Sequence, residues 1–134
     1  MDEVTIHVEA DINPTESEEK VKASINNILG NASIVVKPEG KFSKLAAEAQ
    51  GQESLVKLRS ILHSDRVRDA SRKALFRSTR GNTIRFYLNK QVAFAGHISF
   101  CEETAESPLG PLKVTIETDN PQQLVEWLAE KTER

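Results

Sequence analysis

Basic side chains that could hold phosphate groups are concentrated in one stretch of this chain. Residues 57–90 contain ten Lys or Arg and only two acids, Asp65 and Asp69, so the stretch carries a net charge of +8. The rest of the chain is acidic, and the total of −2 hides this separation. Seven of the ten bases are arginines, whose planar guanidinium groups form paired hydrogen bonds to phosphate. Such a surface attracts a polyanion, and RNA is the partner that we expect.

A helix predicted over residues 65–79 would carry part of this charge along one side. Arg68 lies four residues before Arg72, and Lys73 lies four residues before Arg77. Like charges at this spacing repel by roughly a few tenths of a kcal/mol, and we interpret the tolerated repulsion as a sign of an external use. The alternative is a solvated helix face that acids elsewhere in the chain balance. The apolar side of this helix would be formed by Val67, Ala70, Ala74 and Leu75.

Strands and helices must position these bases. Alternating apolar and polar residues predict strands at residues 4–9, 32–37, 83–89, 96–101 and 112–118. Helical spacing and capping residues predict helices that begin at Thr15 and Asn120, a helical turn at residues 45–49, and a helix through Leu55 and Leu62. One apolar face per strand predicts an α+β fold, a mainly antiparallel sheet with helices packed on one face. We expect a single domain of this two-layer kind over residues 1–134.

The face of the sheet opposite the helices would be polar and open. It would present Thr5, His7, Arg85, Tyr87, Asn89, His97, Ser99, Lys113 and Thr115. An open polar sheet beside a basic helix is a geometry that several RNA-binding modules use. The predicted RNA contacts are Arg68, Arg72, Lys73, Arg77, Arg80, Arg85, Tyr87, Asn89, Lys90 and Gln91.

Different roles are expected within this set. The helix would contact phosphates, while Arg85 and the turn at residues 89–91 would position the RNA or reach base edges, although a plain strand connection also explains residues 88–96. Tyr87 could stack on a base. One aromatic side chain gives little stacking, so we expect binding directed by RNA structure or backbone.

Catalytic chemistry finds little support in the sequence. His97 and Cys101 are four residues apart, roughly 13 Å along an extended strand, which is too far for a nucleophile–base pair or a shared metal. The acids Glu102, Glu103 and Glu106 lack a regular spacing for a cation. No phosphate loop, dinucleotide motif or zinc pattern is present. We predict no catalytic residue, no metal and no cofactor, and a hydrolase that uses the acidic loop is the least favoured hypothesis.

The remaining composition points to an intracellular protein. A single cysteine, Cys101, excludes an internal disulfide. No apolar run approaches the roughly 20 residues that cross a bilayer, and no secretory leader is visible. We therefore predict a cytoplasmic location and no membrane partner.

Two motifs resemble a known family. Residues 88–100 read LNKQVAFAGHISF, and residues 107–111 read SPLGP before an alternating strand and Trp127. These patterns, with the first helix from Thr15, resemble a family of small archaeal proteins predicted to bind RNA and to associate with the exosome. Val92 stands where that family has an alanine. The resemblance covers nearly the whole chain.

The resemblance implies an α+β fold similar to that of a large-subunit ribosomal protein, no catalysis, and an archaeal cytoplasm. It favours a non-catalytic RNA-binding protein, an accessory factor of RNA processing or degradation. The alternative is a protein-interaction adaptor that uses its segregated acidic and basic surfaces. A monomer and a homodimer are both compatible with the sequence.

Overall fold

The sheet and the helices that cover it account for nearly all of the described chain. A computed structural model describes residues 3–64, 67–102 and 110–131. Its strands are β1 (Val4–Ile12), β2 (Ser33–Glu39), β3 (Phe42–Gln50), β4 (Thr79–Arg80), β5 (Thr83–Asn89), β6 (Phe100–Cys101) and β7 (Pro111–Thr118). Its helices are α1 (Glu18–Ile28), α2 (Val56–Ser64), α3 (Arg68–Arg77), α4 (Lys90–Phe94) and α5 (Pro121–Leu128), with a 3₁₀ turn at Gln52–Leu55. The predicted α+β class is confirmed.

The strands form one antiparallel sheet in the order β2-β3-β1-β7-β5-β4, and β6 also pairs with β5. The first strand lies in the middle of the sheet. Val8 of β1 stands opposite Ala47 of β3 on one side and opposite Val114 of β7 on the other. The first and the last of the described strands, β1 and β7, therefore pair at the centre of the sheet.

One face of the sheet is buried under the helices. Ile84, Phe86 and Leu88 of β5 are at most 3% exposed, which confirms the predicted inward side of this strand. Ile25 of α1 and Leu124 of α5 are completely buried on the helical side of the same core. Burial of each large aliphatic side chain contributes about 1.5–3 kcal/mol. The result is the predicted two-layer sandwich.

The prediction of a helical turn at residues 45–49 is wrong. This segment is the middle of β3, in which Leu45 and Ala47 are buried while Ala46 and Glu48 are exposed, a period of two. Gly40 makes the tight connection to β2 with a positive φ of 70°, a conformation that glycine adopts without strain. Alanine favours helices in isolation, but pairing with strands on both sides overrides that weak preference here.

Other predicted boundaries shift by a few residues. Ser17, not Thr15, caps α1, since its side chain accepts from the N–H of Lys20. The predicted connection at residues 90–96 contains α4, and the predicted strand at 96–101 is reduced to the two residues of β6. In α3 the buried residues are Ser71 and Leu75.

Some features of the sequence lie outside the described residues, namely Asp65, the acids Glu103 and Glu106, and residues 107–109 of the SPLGP motif. Among the helices of the described ranges, none has the length and apolar character needed to cross a membrane.

Candidate nucleic-acid interface

The carboxyl-terminal end of α3 is fixed against β5. Ser71 and Leu75 are the buried side chains of this helix. Just past its end, the Ser78 hydroxyl donates to the carbonyl of Ala74 at 2.7 Å. The Ser78 carbonyl in turn accepts from the backbone N–H of Arg85 at 3.2 Å. Side chains at the end of the helix and on the outer side of β5 are therefore held in one relative position.

The first half of α3 faces α5 instead of an open surface. Both terminal nitrogens of Arg72 donate to the carboxylate of Glu126, and its guanidinium lies 5.0 Å from the ring centre of Phe76. These hydrogen bonds lower the pKa of the Glu126 carboxyl and raise the pKa of the Arg72 guanidinium. Arg68 lies 3.5 Å from a carboxylate oxygen of Glu130. Two of the predicted RNA contacts thus join α3 to α5 and to the residues just after it.

The later bases of this segment are directed to solvent. Lys73 and Arg77 are exposed, and neither forms an ion pair with another described residue. Arg80 is also exposed, and one of its terminal nitrogens donates to the carbonyls of Arg77 and Thr79 at 2.8 Å. Positive charge that an external anion could reach is therefore concentrated at the end of α3.

A groove of about 500 Å³ runs between the end of α3 and the strands β5 and β6. It brings together Arg77, Arg85 and Tyr87, which the sequence had predicted separately on a helix and on a strand. Arg85 is exposed and Tyr87 is half-buried. The groove is lined by Ala74, Arg77, Ser78, Arg85, Phe86, Tyr87, Phe100, Cys101 and Glu102. We call this feature the α3–β5 groove.

Aromatic and weakly reactive groups complete the α3–β5 groove. The rings of Phe86 and Phe100 lie 5.5 Å apart at an angle of 51°, so they form a tilted pair at its base. Burial raises the pKa of the Cys101 thiol, and the carboxylate of Glu102 raises it further. A thiol with a raised pKa stays protonated at neutral pH and is a poor nucleophile. In the part of the chain that is described, no three His, Cys, Asp or Glu residues cluster as metal ligands would.

Lys90 is buried, contrary to the expectation of an accessible turn. Its side chain is 4% exposed, and its ammonium lies 3.0 Å from both carboxylate oxygens of Glu16. It also donates to the carbonyl of Asp11 at 2.7 Å. The Lys90 ammonium therefore joins β5 and α4 to the end of β1 and the start of α1, and a phosphate cannot reach it in this arrangement.

The two neighbours of Lys90 differ from one another. The side chain of Asn89 accepts from the N–H of Val92 at 2.9 Å and so caps α4. Gln91 is exposed, but it lies beside Lys20 and Phe94, on the α1–α4 side of the molecule and away from the groove. Asn is a preferred cap residue, and this was the available signal that a helix starts here.

The open face of the sheet carries both signs of charge. The strand register places Glu48, His7, Thr115 and Arg85 in one row across four strands. A second row contains Glu9, Lys113 and Tyr87. Acids from β1 and β3 occupy the same face, so the positive charge of Arg85 on β5 does not continue across the middle of the sheet. The predicted polar face exists, but it is not uniformly basic.

Sequence reasoning missed the acidic partners of the bases and the apolar wall of the groove. Arg72 and Glu126 are 54 residues apart, and Lys90 and Glu16 are 74 apart. No local spacing rule connects residues at such separations. Phe100 belongs to the strand predicted at residues 96–101, and only the pairing of β6 with β5 places its side chain beside the groove.

Known proteins share the fold and much of the sequence of this chain. A family model described as RNA binding matches residues 5–118. A UPF0201 protein of Sulfurisphaera tokodaii is 42% identical over 127 residues, covering 95% of this chain and 88% of the relative. One from Sulfolobus acidocaldarius is 43% identical over 125 residues, covering 93% and 86%. The crystal structure of a UPF0201 protein from Methanococcus jannaschii superimposes with a TM-score of 0.84 at 28% identity, covering 96% of this chain and 95% of the other. The chain therefore belongs to the archaeal UPF0201 family, and the family model that spans it is described as RNA binding.

Proposed function

We propose that this protein binds RNA without catalysing a reaction on it, and that the α3–β5 groove is the contact surface. The observation that supports the proposal most is the position of Arg77 and Arg85. They come from different elements, line one groove of about 500 Å³, and form no ion pair with other described residues. Two arginines so placed can each hold a phosphate of one backbone through charge-assisted hydrogen bonds.

Neighbouring residues extend this surface. Lys73 and Arg80 add positive charge on either side of Arg77, and half-buried Tyr87 offers one face for a ribose or base. Glu102 also lines the groove, and its carboxylate disfavours a phosphate at that end. The RNA backbone would therefore follow α3 and Arg85 and stay away from Glu102. A single tyrosine favours recognition of RNA structure over sequence.

A paired substitution tests the groove. Replacing Arg77 and Arg85 together by glutamine is expected to weaken binding to a structured RNA by about ten- to a hundredfold, since two phosphate contacts are lost. The slope of log affinity against log salt should fall by about 2. The measurement is a fluorescence titration of a structured RNA and of a single strand, each at several salt concentrations.

The matched control removes the same charge elsewhere. Lys41 and Lys131 are exposed and lie outside the groove, so their joint replacement by glutamine should leave both affinity and slope nearly unchanged. Equal losses in the two double variants would mean that net charge alone drives binding. If the unaltered protein fails to bind either RNA at low salt, the RNA proposal is wrong and the adaptor hypothesis becomes the better one.

A finer proposal rests on the resemblance of the sequence motifs. We propose that the protein is a cytoplasmic accessory factor of RNA processing or degradation and associates with the archaeal exosome. Mixed with a reconstituted exosome core, it should comigrate with that core in gel filtration even after ribonuclease treatment. Separate elution under these conditions would contradict the association and leave the RNA-binding proposal untouched.

A further inference from the structure

The strand β2 forms one end of the sheet, and no other described strand pairs with its outer side. From Ser33 to Lys37 its residues alternate between exposed and half-buried, and Val35 is 52% exposed although it is apolar. A long edge strand with apolar side chains is a template for pairing with another chain.

The position of Pro38 shows which backbone groups of β2 point away from β3 and can pair with another strand. Residues of an antiparallel strand alternate between bonding to one neighbour and pointing to the other side. Pro38 has no N–H, and it stands opposite Ser43 of β3, so it occupies a position whose N–H would point outward. Val36 and Ile34 lie two and four residues before Pro38, so their backbone groups are oriented as those of Pro38 are. Their N–H and C=O groups therefore point to the free edge.

A second copy of the chain matches this edge in one register. If β2 meets its copy antiparallel about Val35, Val35 stands opposite the partner's Val35 and Ile34 opposite the partner's Val36. Each Ile34–Val36 pair then exchanges two N–H···O bonds. In this register the two-fold axis is perpendicular to the sheet, so the helices of both copies lie on the same side. Pairing ends at Pro38, which cannot donate.

The side chains agree with the same register. On the open face Val35 neighbours Ala46 of β3, and both are exposed, so two apolar rows would meet at the axis. Ser33 would stand beside the partner's Lys37. Because serine is short, that ammonium can reach Glu48, which neighbours Ser33 in the sheet. On the helical side, half-buried Ile34 would be covered by the partner's Val36, and half-buried Val36 by the partner's Ile34.

We propose that β2 is a self-association surface and that two copies of this chain join their sheets along it into one continuous antiparallel sheet. The assignment depends on the edge strand alone and is independent of the RNA-binding proposal. The resulting assembly is a closed, symmetric dimer, because the pairing occupies the outer edge of β2 in both copies.

One substitution on the axis tests the proposal. Val35→Lys puts two ammonium groups next to each other in the dimer, while in the monomer the side chain already points to solvent. Sedimentation velocity of the unaltered protein should show a species of twice 14.9 kDa at micromolar concentration. The variant should weaken association at least tenfold and retain its circular dichroism spectrum.

The control is Val56→Lys, because Val56 is an exposed valine of α2 on the opposite layer, 48% exposed. It should leave the dimer intact. A second variant, Val36→Pro, removes an outward N–H that the monomer does not use and should also dissociate the dimer. A monomer at high micromolar concentration, a dimer that survives Val35→Lys and Val36→Pro, or open-ended assembly would each overturn the proposal.

Discussion

Replacing Lys90 by methionine is expected to lower the free energy of unfolding by about 3–5 kcal/mol, the usual cost of leaving one partner of a buried ion pair alone. Methionine keeps the length of the side chain but removes the charge. The side chain of Glu16 is only 9% exposed, and its carboxylate would lose two 3.0 Å contacts, while the carbonyl of Asp11 would lose a donor. Urea unfolding followed by circular dichroism measures the effect.

Two further variants show whether the cost arises from the unpaired charge. The double variant Lys90→Met with Glu16→Leu removes both charges and should recover much of the lost stability, because apolar pairs often replace buried ion pairs well. Glu18→Gln breaks the exposed pair of Glu18 with Lys22, 3.1 Å apart, and should leave unfolding nearly unchanged. Equal effects of Lys90→Met and Glu18→Gln would contradict the buried pair.

The same pair gives stability a defined pH dependence. Burial pushes the pKa of the Glu16 carboxyl up, but hydrogen bonds from the Asn13 backbone, Lys90 and the Asn13 side chain outweigh it and hold the pKa below its ordinary value. The stabilisation is therefore complete above the ordinary pKa of glutamate, about 4.3. It is lost as the pH falls from there through the lowered pKa of the folded protein. In Glu16→Gln this part of the acid dependence should be absent.

Replacing Leu75 by alanine is the second large expected effect. Leu75 is completely buried and is the one large apolar residue among the buried side chains of α3. Its truncation should lower the free energy of unfolding by about 2–5 kcal/mol, from lost burial and the cavity left behind. Because Leu75 is the one large apolar side chain that α3 buries completely, the amides of α3 should also show the largest increase in hydrogen exchange.

The control for this substitution is Val56→Ala, since Val56 is 48% exposed on the neighbouring α2. That change should alter unfolding by less than about 0.5 kcal/mol. A cost below about 1 kcal/mol for Leu75→Ala would mean that α3 is not packed on the sheet through this residue. The position assigned to Arg77, two residues further along, would then lose its basis.

Elements with a strong local pattern could be predicted from the sequence. The alternation of Ile84, Phe86 and Leu88 was enough for β5, and the pair Asn120–Pro121 was enough for the start of α5. The strand β3 was missed for the opposite reason. Its alanines favour a helix locally, and only pairing with β1 and β2 makes the segment a strand.

The candidate site, like the fold, could be predicted only in part from the sequence. The type and density of the bases were visible in the sequence, and so was the outward side of β5. What each base contacts was not visible. Arg72 meets Glu126 and Lys90 meets Glu16 only because packing brings distant segments together, whereas Arg77 and Arg85 form no ion pair with another described residue. The predicted RNA contacts therefore fall into two groups in the structure: bases that are exposed to solvent and bases that are paired within the protein.

The central position of β1 has a consequence for how the chain folds during synthesis. Among the described strands β1 is synthesised before the others, and β3 can pair with eight of its residues soon afterwards. Its other edge, from Val4 to Glu9, must wait for β7, the last strand of the sheet in chain order. Until then the nascent chain exposes an unpaired hydrophobic edge, the kind of feature that attracts chaperones or neighbouring nascent chains. Shortening the carboxyl-terminal end before β7 would make that transient state permanent.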